Sequence, residues 1–218
     1  MTKFSGKQLT CVRGERVVFT NLEFSINEGE ILNLIGPNGS GKSTLLRLMA
    51  SLLRPIDGSL IWCGRDIYDD EGSFQTITHY IGHQDAVKAG LTVEENLRFW
   101  SAINSNKNEP YKVTDALGRF ALEDFSNLPA RLLSAGQRKR LNLARICSTW
   151  KPLWLLDEPF NSLDAESQKA LHDAISMHQK SGGLVVMASH GEMGIDCNIL
   201  DISNFTETKI PQSNQNVY

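Results

Sequence analysis

The eight residues Gly36–Ser43, "GPNGSGKS", constrain this 218-residue chain more than any other stretch. They match G-x-x-x-x-G-K-[ST] directly after the apolar run "ILNLI" (Ile31–Ile35). They also directly precede "KSTLLRLMASLL", whose apolar residues recur at spacings of three and four. The flanks matter as much as the glycines, because this loop acts only between a strand and a helix. Gly36, Gly39 and Gly41 let the backbone curl until its N–H groups and the helix N-terminus face phosphate oxygens. In that geometry Lys42 reaches the β and γ phosphates, and Ser43 offers its hydroxyl to Mg²⁺. Pro37, Asn38, Ser40 and Thr44 complete the candidate nucleotide-contacting set.

The same alternation runs along the chain. "THYIG" (Thr78–Gly82), "LWLL" (Leu153–Leu156) and "LVVMA" (Leu184–Ala188) read as short buried strands, and "AESQKALHDAISMHQ" from Ala165 reads as a helix stopped by Gly182. An α/β fold with a mainly parallel core sheet follows. The N-terminal "LTCV", "RVVF" and "LEFSI" predict an antiparallel β layer, with the turn "NEGE" before the first core strand. Strand signals vanish from Asp85 to Leu133, where helices around 92–103 and 112–121 flank the polar loop "NSNKNEP". The expected organisation is one domain, with residues 1–84 and 150–202 as the core, 85–149 as an inserted α-helical subdomain and 203–218 as a polar tail.

Composition then removes several function classes. A net charge of −3 argues against a general nucleic-acid binder. No stretch approaches the roughly 18 apolar residues of a membrane span, and the lysine-bearing N-terminus has no apolar run behind it. A cytosolic chain, at most docked on a membrane protein, is expected. Cys11, Cys63, Cys147 and Cys197 are scattered and read as reduced core thiols.

Downstream, "LWLLDEP" places Asp157 and Glu158 at the C-terminal end of a strand, where open α/β sheets bind ligands. Asp157 is the candidate Mg²⁺ ligand, usually acting through water, and Glu158 the candidate general base for an attacking water. The N-K-x-D motif of the GTPase class is missing, since its nearest approach, "NKNE" (Asn106–Glu109), has Glu in the Asp position and lies in a polar loop. A second small-residue turn, "LSAGQ" (Leu133–Gln137), opens another helix. Ser134 is a good N-cap, while Ala135 and Gly136 permit close backbone approach to an anion. Arg138, Lys139 and Arg140 read as a solvated helix face.

Taken together these residues resemble the ATP-binding-cassette ATPases, the nucleotide-binding subunits of ABC transporters, over nearly the whole chain. "GPNGSGKS" looks like the Walker A, Gln84 in "IGHQ" the Q-loop, "LSAGQ" the signature, "LWLLDE" the Walker B and "NSLD" the D-loop. His190 in "SH" looks like the switch histidine. The resemblance implies a P-loop NTPase fold, ATP with Mg²⁺, and two subunits packed head to tail. The signature residues Ser134, Ala135, Gly136 and Gln137 then cover the ATP held by the partner's Walker A. It also implies that Gln84 links Mg²⁺ and the attacking water to the helical subdomain and that His190 meets the γ-phosphate. Asp164 is implied at the dimer interface, and its residue type equally suits the N-cap of the helix from Ala165. The family often stacks adenine on an aromatic residue before the Walker A; here Arg13 stands near that place, and nothing in the phosphate motifs excludes GTP. The remaining histidines, His79, His83, His172 and His178, read as structural or solvated.

A narrower resemblance follows from "IGHQDAVKAGLTVEENLRFW", "LSAGQRKRLNLARI" and "LWLLDEPFNSLDA". These are most similar to the haem-exporter ATP-binding subunit of bacterial cytochrome c maturation. That implies a peripheral dimer on the cytoplasmic face of the bacterial inner membrane, bound to integral membrane transporter subunits. It implies no nucleic-acid partner and no direct contact with haem. The ATPase of another small exporter of lipids or drugs, or a soluble non-transport ABC ATPase, remain the alternatives at this stage.

Overall fold

The computed structural model describes residues 3–104, 112–189 and 194–206. Two sheets enclose one helix. The first sheet is antiparallel with strand order β2-β1-β4-β5, formed by β1 (Lys3–Arg13), β2 (Arg16–Asn27), β4 (Asp57–Trp62) and β5 (Arg65–Asp66). The second is parallel with order β6-β7-β8-β3-β9, formed by β3 (Ile31–Ile35), β6 (Thr78–Ile81), β7 (Leu153–Asp157), β8 (Leu184–Ala188) and β9 (Asn198–Asp201). Because β6, β7, β8 and β3 all point the same way, their C-terminal ends meet at one edge. The phosphate loop, Asp157, Ser189 and the segment leading to Gln84 emerge there together.

Period-2 alternation decides which face each side chain takes. Leu32, Leu34, Leu153, Leu155, Leu184 and Val186 pack with Leu45, Leu46, Leu48 and Met49 of α1 (Lys42–Met49) and with Phe4, Leu22 and Ile26 of the antiparallel sheet. The alternate residues Ile31, Trp154, Leu156, Val185 and Met187 face a second core. It is built with α3 (Val93–Asn104), α4 (Val113–Arg119), α5 (Ala135–Ser148) and α6 (Ala165–Lys180). A loop leaving β3 therefore stands on a strand packed on both faces, and it moves little without disturbing two cores.

Several sequence expectations change in detail. "RVVF" and "LEFSI" form the single strand β2, whose pairing with β1 shifts register at Gly6/Leu9, Leu9/Cys11 and Cys11/Val12. The irregular pairing is what disguises one bent strand as two. Helix α1 stops at Met49, although the apolar spacing continues to Leu53. Ser51 adopts φ 57°, a left-handed conformation that ends the helix, and Leu53 still packs on the first core. The strands β4, β5 and β9 and the short helix α2 (Glu71–Thr76) are additions. The thiols also differ from a uniform core set: Cys11 is buried, Cys63 is exposed, and Cys147 and Cys197 are intermediate. The "NSNKNEP" loop after Asn104 and the tail from 207 lie outside the described residues.

Candidate nucleotide site

The phosphate loop is held open by two glycines whose side chains could not be larger. Gly41, the residue before α1, has φ 106°, and a Cβ there would meet Val18 Cγ1 at 2.5 Å. Gly36 has φ 140°, and a Cβ there would meet Ser40 Oγ at 2.7 Å. Lys42 is buried, and its ammonium donates to the carbonyls of Gly36 at 2.6 Å and Pro37 at 3.1 Å. Neutral carbonyls are its described partners, so the full positive charge remains available to an anion in the loop. The hydroxyl of Ser40, also in the loop, is buried with no hydrogen-bond partner.

Ser43 and Asp157 meet from opposite ends of the sequence, with the Ser43 hydroxyl donating to Asp157 Oδ1 at 3.0 Å. Burial raises the Asp157 carboxyl above its ordinary value, and the Ser43 bond partly offsets this. Asp157 Oδ2 is buried and has no hydrogen-bond partner. A hard divalent cation with oxygen ligands answers that orphaned atom, restores the charged carboxylate and shares the Ser43 hydroxyl. No group of three or more His, Cys, Asp or Glu converges among the described residues. The pair therefore suits Mg²⁺, which takes few protein ligands and completes its shell with phosphate and water. Glu158 follows with φ 49°, its N–H bonded to Ala188 O at 3.0 Å, and its carboxylate accepts from the Asn161 side chain. The positive φ turns the chain sharply after β7, and Glu158 lines the loop's own cleft.

That cleft, about 260 Å³, is lined by Arg13, Arg16, Val18, Asn38, Gly39, Gly41, Lys42, Ser43, Thr44 and Glu158. Arg13, which the sequence reading set near the base-stacking position, lines this phosphate-loop cleft. The structure adds Arg16 and Val18, which the sequence reading missed. The hairpin register, with Arg13 paired to Arg16, could have found the second arginine. Gln84 is exposed and lines a different, larger cleft of about 620 Å³, with His83, Arg47, Trp100 and Arg145. That cleft adjoins the carboxylates, since the charges of His83 and Arg47 both act on Asp157. His190 lies outside the described residues; Ser189 before it is anchored by its hydroxyl donating to Asn33 Oδ1 at 3.0 Å.

The second helix terminus is complete but faces elsewhere. Ser134 Oγ accepts from Gln137 N–H at 3.2 Å, and Gln137 Oε1 accepts from Ser134 N–H at 2.8 Å, a reciprocal capping box at the start of α5. The N–H groups of Ala135 and Gly136 have no carbonyl within the helix to reach. Ser134, Ala135 and Gly136 are exposed, and none of them lines the phosphate-loop cleft. Ala135 lies in the helix without positive φ, so its methyl is unstrained. A Cβ on Gly136 would touch nothing within 4 Å, so the fold of this chain does not require a glycine there.

Other residues sort cleanly. Asp164 caps α6, accepting from Ser167 N–H at 2.8 Å, and its bonds to Ser167 lower its carboxyl below the ordinary value. Lys139 corrects the reading of a solvated helix face: it is partly buried, desolvation lowers its ammonium, and the charges of Asp85, Asp157 and Glu158 oppose that. His79 and His178 are buried and structural, His83 is exposed on the larger cleft, and His172 packs beside Phe160.

The family described as ABC transporter matches residues 19–161 of this chain. The cytochrome c biogenesis ATP-binding export protein CcmA of Paramagnetospirillum magneticum is 48% identical over 194 residues, 88% of this chain and 89% of that protein. The protein of the same name from Rhodospirillum rubrum is 44% identical over 203 residues, 93% and 86% of the two chains. Among solved structures, an ABC transporter ATP-binding protein of Pyrococcus furiosus shares the fold with a TM-score of 0.80 at 24% identity, over 94% of this chain and all of that one. A dimeric ATP-binding cassette in a post-hydrolysis state with ADP and Pi matches with a TM-score of 0.75 at 25% identity, over 88% of each chain.

Proposed function

The chain belongs to the ABC transporter family, and on that premise we propose that it is the ATP-hydrolysing subunit of an exporter serving c-type cytochrome biogenesis. It works as a dimer around two ATP molecules. The observation that carries this reading is the separation of two anion-binding elements on one chain. The phosphate-loop cleft lacks residues from the capped α5 terminus, and that terminus presents free N–H donors to solvent. Head-to-tail pairing of two copies gives each terminus an anion and each cleft a cover.

Each residue then has a task that its geometry supports. The loop amides and Lys42 hold the phosphates, and Arg13 lines the cleft near the place where the family stacks the base. Lys42 exchanges its two carbonyl partners for phosphate oxygens. Ser43 and Asp157 hold Mg²⁺, whose charge offsets that of the phosphates and keeps Asp157 ionised. Glu158, which lines the cleft, accepts a proton from the attacking water. Gln84 senses the occupied site from the larger cleft, and His190 acts at the γ-phosphate. Asp164 serves at the interface while capping α6. Residues 85–149 form the helical subdomain, with 1–84 and 150–202 as the core and 203–218 as a polar tail.

The partners are integral membrane subunits docked over residues 85–104, with two copies of this chain bound peripherally on the cytoplasmic face of the inner membrane. Haem passes through those subunits and does not touch this chain. The relatives named for cytochrome c biogenesis export support this, as does the finding that no helix among the described residues is long and apolar enough to cross a membrane. Two measurements test the proposal. Glu158→Gln with ATP and Mg²⁺ should run as a dimer on size exclusion while hydrolysing at least about 100-fold more slowly; an active, monomeric variant removes Glu158 from its role. A pull-down of the tagged chain from detergent-solubilised membranes should recover integral cytochrome c assembly proteins, and recovery of an unrelated transporter would redirect the substrate.

A further inference from the structure

Arg13 and Arg16 are register partners at the end of the β1–β2 hairpin, joined only by Gly14 and Glu15. Directly opposed residues place their Cβ atoms about 4.5–5.5 Å apart on one sheet face, and like charges there destabilise the pair. Among the described residues the ion pairs are Arg54–Glu71 and Arg98–Glu94, and neither hairpin arginine takes part in one. Both line the phosphate-loop cleft with Lys42. Arg16 also donates from one guanidinium nitrogen to the carbonyl of Gly39, in the middle of the loop, at 3.4 Å. The repulsion of two opposed cations is relieved when an anion lies between them and Lys42.

The cleft lining contains no aromatic residue, and its one apolar side chain, Val18, is itself buried behind Gly41, so little is there to read a base. We propose that Arg16, with Arg13, is the specificity-determining element of this site: a cationic pair that selects a nucleoside di- or triphosphate by its phosphate charge and scarcely by its base. The inference rests on the nucleotide reading of the same cleft. The Gly39 bond holds one nitrogen of the Arg16 guanidinium against the phosphate loop, so its charge stands beside the loop at little further entropic cost.

Calorimetry on the full-length chain with Mg²⁺ and either ATP or GTP tests it. Wild type should bind the two within about threefold. Arg16→Gln keeps an N–H donor for Gly39 but loses the charge, so it should weaken both nucleotides by the same factor, roughly three- to fivefold. It should also flatten the fall in affinity between about 50 and 300 mM salt. Arg16→Lys should restore most of the affinity and the salt dependence, which a purely structural brace would not do. An Arg16→Gln chain with unchanged affinities, or one weakened for a single nucleotide, overturns the proposal. So does a wild type preferring ATP over GTP by more than about tenfold. Lys42→Ala separates the two levels. If wild type binds neither nucleotide better than Lys42→Ala, the nucleotide reading fails and takes this proposal with it. If Lys42→Ala loses binding and Arg16→Gln matches wild type, the arginine proposal alone fails.

Discussion

Ser43 and Asp157 stand 114 residues apart in sequence and meet at 3.0 Å, leaving one buried carboxylate oxygen for a cation. Asp157→Asn should therefore remove most of the Mg²⁺ enhancement of ATP binding, about tenfold or more, while leaving metal-free binding nearly unchanged; titration with and without EDTA reads the difference. Two buried histidines set the acid limit. Burial holds His79 down to about 3 and His178 to about 4, against 6.5 for an exposed imidazole. His79 bonds to the Thr149 carbonyl, and His178 stacks on Trp154 with ring centroids 3.8 Å apart. The unfolded chain takes up both protons below about pH 6.5, whereas the folded chain takes them up only near 4 and 3. Stability present above pH 6.5 is thus lost as pH falls, by about 2 kcal/mol per histidine at pH 5. Urea titrations at pH 7 and pH 5 should differ by about 4 kcal/mol from this pair, and equal midpoints would contradict the assignment.

At the scale of elements, the N-terminal turn of α5 gives the sharpest contrast between folding and function. Gly136 in a helix costs about 0.5–1 kcal/mol relative to alanine, and the space around it in this chain is empty. Gly136→Ala should therefore raise thermal stability by that amount while reducing ATP hydrolysis, because in the head-to-tail dimer proposed above the added methyl meets the partner's nucleotide. Loss in both would place the glycine's purpose in the fold, and a gain in both would remove it from the dimer site. The elements differ in how legible they were. Strands β3 and β8 could be read to the residue, because both are short runs, apolar but for Asn33 in β3, buried on both faces. Strand β4 begins with Asp57, Gly58 and Ser59, and the edge strand β9 is half exposed, so neither carries an apolar signature. The site divides the same way. The loop, Asp157, Glu158 and the α5 cap are local in sequence and were legible. Arg16 owes its place to a hairpin register, and Lys139 owes its partial burial near Asp85, Asp157 and Glu158 to tertiary packing.

For the whole molecule, the parallel sheet sends four strand ends to one edge, the antiparallel sheet braces the loop through Val18 and Phe19 behind Gly41, and the helices carry the second terminus away from the loop's own cleft. On the proposed function the chain is half of each of two sites, and a dimer completes both. Mixing two inactive variants tests this most directly. Lys42→Ala breaks the phosphate grip and Ser134→Arg blocks the α5 terminus, so neither homodimer should hydrolyse ATP. In a mixed dimer the intact loop of one chain faces the intact terminus of the other, giving one whole site of two. Random pairing makes half of the dimers mixed, so independent sites predict roughly a quarter of wild-type activity. Crosslinking shows that mixed dimers form, and Glu158→Gln on the Ser134→Arg chain then asks whether they trap ATP where coupling between sites suppresses turnover. Recovered hydrolysis, or ATP trapped in one site per mixed dimer, is the predicted result; mixed dimers that form yet neither hydrolyse nor trap nucleotide would contradict it.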